Sequence, residues 1–207
     1  MNITVLGAGA WGTALAKLLH ESGHALTVWG HEPECLEEIR RAGRNTLFLP
    51  GIDLPRDFRC EPDPRLAVEG SDVVVAAVPS RPFRQVTACL ADFRGIVVTV
   101  TKGIEFDTGL TMSGVLEQTA PHAGHCALSG PTLAMEVARG VPTAIVAASE
   151  QSDVAAGCRG CSTGRPFASI PAPTFTESNS AGRSRTSSPS PPACATASGS
   201  ATTRRRR

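Results

Sequence analysis

The sequence predicts an α/β fold in which helices cover both faces of a doubly wound, mainly parallel sheet. Short runs rich in Val and Ile alternate with stretches of helical periodicity. Runs that are apolar at every position are typical of strands buried on both faces, and their alternation with helices predicts βαβ units with right-handed crossovers. The predicted strands are residues 3–7, 25–29, 72–78, 95–100, 125–130 and 142–148.

The helical stretches between these strands have recognisable ends. The first places three leucines on one face and ends in glycine, a residue favoured just after a helix. The second has proline near its start and glycine at its end, which is the usual asymmetry of helix termini. The predicted helices are residues 10–23, 32–43, 81–93 and 108–120.

The chain divides at about Ala156 into two segments of different composition. Residues 1–156 carry 12 basic and 18 acidic side chains, whereas residues 157–207 carry eight arginines and one glutamate. The second segment is rich in Ser, Thr and Pro and shows neither strand nor helix periodicity. Because it cannot bury enough apolar surface to offset its conformational entropy, we predict a disordered tail after the folded domain.

Three interpretations of this tail remain open. Its four terminal arginines, 204–207, are compatible with a basic arm for nucleic acid or a membrane. A solvated tail without a partner is the second interpretation. The third, which we favour, is translation in a shifted reading frame, because unpatterned Arg, Ser, Pro, Ala and Thr are what GC-rich DNA read out of frame encodes. We therefore expect no nucleic-acid or membrane partner.

Neither the first residues nor the cysteines indicate an exported or metal-binding protein. Met1 is followed almost at once by the first predicted strand, so we expect no secretory signal peptide. No apolar run approaches the ~18 residues that a membrane span requires. The seven cysteines are scattered, and the pair Cys158 and Cys161 has no second pair with which to hold a metal. These observations predict a cytoplasmic protein without a metal.

Gly7, Gly9 and Gly12 form the pattern G-x-G-x-x-G between the first predicted strand and the first predicted helix. In that context the first glycine permits a tight turn, the second lets the backbone approach a pyrophosphate, and the third lets the helix pack close to the strand. The helix N-terminus adds free N–H groups and a partial positive charge. We predict a Rossmann-type fold that binds NAD or NADP, with Ala10 and Trp11 completing the loop and Trp11 at its exposed crest.

The end of the second predicted strand leaves the choice between NAD and NADP open. An acidic side chain at this point accepts hydrogen bonds from the ribose of NAD, and a basic one accommodates the 2′-phosphate of NADP. The chain has His31 here, followed by Glu32, which we expect to cap the next helix. Since His31 can accompany a phosphate, we predict that either cofactor is used.

Two further segments follow predicted strands and should face the same crevice, because ligands in open α/β sheets bind beyond the carboxyl ends of the strands. Lys102 comes directly after the run 95–100 and would supply a positive charge for a phosphate or carboxylate. The turn Ser129–Thr132 leads into a predicted helix, and Pro131 is expected in the first turn of that helix. The free N–H groups of the same turn would form a second anion site. A solvated lysine and simple helix capping are the alternatives.

Five segments occur in a distinctive order and spacing: GAGAWGTALA (7–16), NTLFLPGIDLP (45–55), AVPS (77–80), TKGIE (101–105) and SGPTLAMEVARG (129–140). Together they resemble the N-terminal domain of the bacterial NAD(P)-dependent glycerol-3-phosphate dehydrogenases over about residues 1–156. Other dehydrogenases with a glycine loop share the first motif but not the set. The resemblance implies the reversible reduction of dihydroxyacetone phosphate to sn-glycerol 3-phosphate, which feeds phospholipid synthesis.

The resemblance also implies roles for individual residues, although Ala10 stands where the family often has serine. The cofactor contacts that it implies are made by Trp11, His31, Lys102 and Ala134. The contacts that it implies to the small-molecule phosphate substrate are made by Lys102, Gly130 and Thr132.

The family's proton-transferring lysine lies in a helical C-terminal domain, and this chain has no lysine after Lys102. Reduction of a carbonyl needs a proton donor within hydrogen-bond reach. We therefore expect the chain to be truncated, to contain no catalytic residue, to have little or no activity and to lack the family's dimer contact. A catalytically silent dinucleotide-binding module with an interaction tail is the alternative.

Overall fold

A computed structural model describes residues 1–161 and 167–171 of the chain, and their eight strands form one sheet. The strands are β1 (Asn2–Leu6), β2 (Ala25–Trp29), β3 (Arg59–Cys60), β4 (Val73–Ala76), β5 (Ile96–Thr99), β6 (Gly124–Ser129), β7 (Thr143–Ala148) and β8 (Phe167–Pro171). Each of the six predicted strands is present within two residues of its predicted bounds, and 72–78 is shortened to the four residues of β4.

Helices flank the sheet. They are α1 (Ala10–Glu21), α2 (Pro33–Ala42), α3 (Pro64–Val68), α4 (Phe83–Thr87), α5 (Met112–Thr119), α6 (Ala134–Ala138) and α7 (Ser152–Cys161), with one 3-10 turn (Ala88–Leu90) after α4. The predicted end of the second helix is confirmed, since Gly43 has a left-handed φ of 63° and its N–H donates to the Ile39 carbonyl at 3.0 Å.

The strand order is β3-β2-β1-β4-β5-β6-β7-β8, and every neighbouring pair is parallel except β6 with β7. The first six strands therefore have the order of a Rossmann fold, which confirms the predicted doubly wound, mainly parallel sheet. The chain reverses its direction of winding between β1 and β4. In sheets of this order, ligands bind in a crevice at this switch point, beyond the carboxyl ends of the strands.

The antiparallel direction of β7 was not foreseen from its apolar run. A parallel connection must return along the whole length of the preceding strand, here about 20 Å for six residues. The helix between β6 and β7, α6, has five residues and spans about 7 Å. After α6 the chain enters the sheet at the edge where β6 ended, so that β7 runs antiparallel to β6.

Two layers of apolar side chains cover the sheet. Alternate residues of a strand enter different clusters: Val5 and Val75 pack under α1, whereas Leu6 and Val74 pack on the opposite face with Phe83. All five side chains are at most 5% exposed. Strands buried on both faces need apolar residues at every position, which explains the continuous Val and Ile runs.

The predicted boundary at Ala156 falls inside α7, which continues to Cys161. Beyond it, Phe167–Pro171 forms β8 and pairs in parallel with β7. Residues 162–166 and 172–207 lie outside the described residues, so the predicted disorder of these residues stays a prediction. Within the described part of the chain, no helix is both long and apolar enough to cross a membrane.

Candidate functional site

The glycine loop, residues 7–12, connects β1 to α1 at the switch point of the sheet. Gly7 has a φ of 128°, which a side chain rarely permits, and a Cβ on it would lie 2.6 Å from the Ala77 carbonyl oxygen. Its N–H donates to the Trp29 carbonyl at 2.8 Å. The turn is therefore wedged between the ends of β2 and β4, and its first position requires glycine.

The other two glycines of the loop differ in what surrounds them. A Cβ on Gly12 would lie 1.9 Å from the Gly7 carbonyl oxygen, so α1 starts in direct contact with the turn. A Cβ on Gly9 would meet nothing within 4 Å, and its φ of −69° is one that any residue adopts. Glycine at this position is therefore required by neither packing nor backbone strain, and it leaves an open surface that a ligand can approach.

The N-terminus of α1 opens on the same surface. No side chain caps it, and Gly9, Ala10 and Trp11 are half-buried. The N–H groups of a first helical turn have no acceptor within the helix, and they carry a partial positive charge. An open glycine and uncapped N–H groups together fit the pyrophosphate of a dinucleotide, as the sequence pattern predicts.

A buried polar network that sequence reasoning missed holds the loop from behind. The Asn45 side-chain amide donates to the Ala8 carbonyl at 2.8 Å and to the Thr13 hydroxyl at 2.9 Å. That hydroxyl also donates to the Ala8 carbonyl, at 3.1 Å, and both side chains are at most 1% exposed. Asn45 begins the second motif quoted above, but no pattern in the sequence shows that it reaches residues 32 and 37 positions earlier.

The end of β2 borders the loop on one side. Gly30 is buried, and a Cβ on it would lie 2.7 Å from the Ala8 Cβ. His31 is exposed beyond it. Glu32 takes the N-cap position of α2, as predicted, but its side chain makes no capping hydrogen bond.

The other side of the crevice is formed by the lysine edge, which we define as residues 101–111 and 129–132. Lys102 Nζ donates to the Gly130 carbonyl at 3.3 Å, so the two predicted substrate segments come together. Gly103, with a φ of 107°, turns the chain beside Ser80 of the AVPS motif. The β2 and β5 ends are three strand spacings apart, or about 14 Å, so His31 and Lys102 lie at opposite ends of the crevice.

The predicted position of Pro131 in the first turn of a helix is wrong. The backbone is still extended at Leu133, and α6 begins at Ala134. Gly130, Pro131 and Thr132 therefore belong to the preceding turn, and a second anion site at a helix start does not form there. Ala134 opens α6, which packs on α1, and both Ala134 and Trp11 contact the same apolar cluster.

A salt bridge fixes the lysine edge to α4 and α5. Arg84 of α4 donates to both carboxylate oxygens of Glu105 at 2.7 Å and to Gln118 of α5 at 2.8 Å. Glu105 also accepts from the Thr108 hydroxyl at 2.6 Å. The hydrogen bonds from Arg84 and then from Thr108 lower the pKa of Glu105 to about 2. The sequence motif contains Glu105 but does not indicate its partner on α4.

The comparisons with known proteins agree with this geometry. A family model described as "NAD-dependent glycerol-3-phosphate dehydrogenase N-terminus" matches residues 2–155. A glycerol-3-phosphate dehydrogenase (NAD(P)+) of Chlorobium phaeobacteroides is 43% identical over 155 residues, which are 72% of this chain and 46% of that protein. One of Anaeromyxobacter sp. is 42% identical over 163 residues, 75% of this chain and 48% of that protein. The chain thus spans about half the length of the curated relatives that it matches.

Solved structures show the same relationship. A glycerol-3-phosphate dehydrogenase of Coxiella burnetii superposes with a TM-score of 0.77 at 28% identity, over 83% of this chain and 54% of that one. A UDP-D-ManNAc dehydrogenase of Pyrococcus horikoshii superposes with a TM-score of 0.70 at 15% identity, which shows a shared fold alone. The resemblance seen in the sequence is confirmed: the chain belongs to the NAD-dependent glycerol-3-phosphate dehydrogenase family, whose N-terminal domain it contains.

Proposed function

We propose that this chain binds NAD or NADP across the switch point of its sheet, as the dinucleotide-binding part of a glycerol-3-phosphate dehydrogenase. The observation that supports this most directly is the surface at Gly9. Of the three glycines in the loop, Gly9 is the one at which a Cβ would meet nothing within 4 Å, yet the residue is glycine. Since neither packing nor backbone strain requires glycine at position 9, the missing side chain favours the close approach of a ligand to this backbone.

The residues around the crevice then have separate roles. The first turn of α1, at Ala10 and Trp11, donates N–H groups to the pyrophosphate. Lys102 supplies a positive charge at the far end, and its contact with the Gly130 carbonyl orients it toward the crevice. Gly130 and Thr132 complete the wall against which a phosphorylated substrate would lie, and Ala134 lies beside α1.

NAD(P)H supplies a hydride when it is bound, and reduction of a ketone needs a proton as well. The chain has two lysines, and Lys17 is paired with Glu21 on α1. Lys102 is the other, and its hydrogen bond to Gly130 suits it to hold charge rather than to deliver a proton. Loss of a general acid slows a reaction about 10²- to 10⁴-fold. We propose that this chain binds the cofactor but reduces dihydroxyacetone phosphate poorly or not at all.

The second candidate function is a catalytically silent dinucleotide-binding module, which the engagement of Lys17 with Glu21 and of Lys102 with the Gly130 carbonyl favours. Turnover separates the two candidates. A slow but saturable reaction with dihydroxyacetone phosphate indicates a weakened dehydrogenase, whereas cofactor binding without turnover indicates a silent module.

Substitution at Gly9 tests the proposed cofactor site. The Gly9→Ala variant should fold normally, because its Cβ meets nothing, but should bind NADH at least about tenfold more weakly, because the methyl group occupies the approach to the pyrophosphate. Gly114→Ala in α5 is the matched control, since its Cβ makes ordinary contacts from 3.4 Å. NADH fluorescence measures binding, and circular dichroism confirms folding. Equal affinity in the two variants would contradict the site.

A further inference from the structure

The AVPS segment, residues 77–80, joins the two sides of the crevice. It follows β4, which lies between β1 and β5 in the sheet. The Ala77 carbonyl oxygen lies 2.6 Å from the position that a Cβ on Gly7 would occupy, so the segment begins in contact with the glycine loop. Since neighbouring strands are about 4.8 Å apart, a ligand that extends from the glycine loop to Lys102 must cross this segment.

A hydrogen bond holds the other end of this segment beside the lysine edge. The Thr101 hydroxyl donates to the Val78 carbonyl at 2.6 Å. Ser80 and Gly103 each lie two residues beyond that pair. In the described part of the chain, the atoms nearest to a Cβ built on Gly103, apart from its chain neighbours, are Oγ and Cβ of Ser80, at 3.8 and 3.9 Å. Glycine at position 103 therefore leaves the Ser80 side chain uncovered on this side.

The Ser80 hydroxyl differs in its hydrogen bonding from the polar side chains beside it. Thr101 and Lys102 each donate to a backbone carbonyl. Ser80 is half-buried, but within residues 1–161 and 167–171 its hydroxyl neither donates nor accepts a hydrogen bond. Its own carbonyl accepts from the Phe83 N–H at 3.4 Å, which holds the backbone in the turn before α4. Because a hydroxyl both donates and accepts, Ser80 can bind a hydroxyl of a ligand at this position.

Building on the dinucleotide binding proposed above, we propose that the Ser80 hydroxyl binds the ribose on the nicotinamide side of the cofactor. With the pyrophosphate at Gly9 and the adenosine directed toward the end of β2, the second ribose must cross the end of β4. There the Ser80 hydroxyl forms a hydrogen bond with one of the ribose hydroxyls. This contact holds the sugar between the glycine loop and the lysine edge, so that the nicotinamide ring is directed toward Lys102.

The test compares the binding of NADH, ADP-ribose and ADP to the full chain by calorimetry. ADP-ribose contains the second ribose without nicotinamide, whereas ADP ends at the pyrophosphate. Ser80→Ala should bind NADH and ADP-ribose about three- to tenfold more weakly, as expected for the loss of one neutral hydrogen bond, and should bind ADP with unchanged affinity. Ser80→Thr keeps the hydroxyl and should bind all three ligands within about twofold of the wild type.

Ser22→Ala is the matched control. Ser22 is also half-buried, and its hydroxyl donates to the Leu18 carbonyl at 3.0 Å at the opposite end of α1. This variant should bind all three ligands like the wild type, and circular dichroism confirms that each variant is folded.

The outcomes are distinguishable. Weaker binding of NADH and ADP-ribose by Ser80→Ala, with ADP unaffected, supports the contact with the ribose. Equal weakening of all three ligands overturns it, because the effect would then lie at the pyrophosphate or the adenosine. Weakening of NADH alone also overturns it, since the contact would be with the nicotinamide ring, and so does unchanged affinity for all three. Binding of none of the ligands by the folded wild type refutes the proposed function, and the role of Ser80 with it.

Discussion

The glycine loop and the lysine edge border the same crevice, but different forces hold them. The glycine loop is fixed by backbone contacts, by glycines that admit no side chain, and by the buried amide of Asn45. The lysine edge depends on side chains that are wholly or partly exposed, namely the Lys102 contact with Gly130 and the salt bridge between Arg84 and Glu105. We infer that substitutions in the glycine loop change stability and cofactor binding together, whereas substitutions in the lysine edge can change ligand binding without changing stability.

The largest effect is expected at Gly12. A methyl group there would lie 1.9 Å from the Gly7 carbonyl oxygen, and neither backbone can move without displacing α1 or the turn. Gly12→Ala should therefore destabilise the fold by about 3 kcal/mol or more, the upper end for overpacking, and abolish NADH binding. Urea unfolding measures the loss. A Gly12→Ala protein with unchanged stability and affinity would show that the loop is not rigid.

Removal of the buried amide should have the next largest effect. Asn45→Ala leaves the Ala8 carbonyl and the Thr13 hydroxyl with fewer partners in a dry environment, which costs about 1–3 kcal/mol. Asn2→Ala is the control, because the Asn2 amide donates to the Gly70 carbonyl at an exposed site. Thermal unfolding should show a much larger decrease for Asn45→Ala, and weaker NADH binding should accompany it. Similar decreases for both variants would contradict the network's role.

The salt bridge of the lysine edge should contribute in a pH-dependent way. The pKa of Glu105 is lowered in the folded protein from an ordinary value of 4.5 to about 2, so its stabilisation is complete above 4.5 and is lost as the pH falls toward 2. The wild type should melt at a higher temperature than Glu105→Gln at neutral pH, and the two curves should converge in acid. A difference in melting temperature that is independent of pH would assign the effect of the substitution to packing instead of charge.

The smallest effect on stability is expected at Lys102. Its side chain is exposed, and its hydrogen bond to the Gly130 carbonyl is long at 3.3 Å. Lys102→Met should melt within about 0.5 kcal/mol of the wild type, as surface substitutions usually do. Binding of dihydroxyacetone phosphate in the presence of NADH should nevertheless weaken about tenfold, because one charge-assisted contact is lost. Calorimetry measures that binding. Unchanged affinity would show that Lys102 does not contact dihydroxyacetone phosphate.

The difference between the two regions also explains what the sequence could predict. The glycine loop is local: its strand, turn and helix lie within residues 2–21, and the pattern alone places its three glycines correctly. The lysine edge is assembled from segments far apart in the chain. The pairing of Arg84 with Glu105, 21 residues later, leaves no periodic signal. Asn45 was missed for the same reason, because its partners are fixed only when the sheet has formed.

Three elements differ from what the sequence predicts, and composition alone does not indicate these differences. Strand β3 consists of Arg59 and Cys60 alone, so no apolar run in the sequence indicates it. The run 142–148 has the composition of a parallel strand, but it pairs antiparallel with β6. The start of α6 was placed too early because Pro131 suits a first helical turn, whereas the extended Leu133 delays the helix to Ala134. Composition predicts which segments form strands, but it does not predict the direction in which each strand enters the sheet.

A calorimetric titration with NADH tests the central claim most directly, that the glycine loop of this chain binds a dinucleotide through its bare backbone. It compares the wild type with Gly9→Ala and with the control Gly114→Ala in α5. We expect saturable binding with one site per chain in the wild type, binding at least about tenfold weaker in Gly9→Ala, and unchanged binding in Gly114→Ala. Undiminished binding by a folded Gly9→Ala protein, or no binding by a folded wild type, would contradict it.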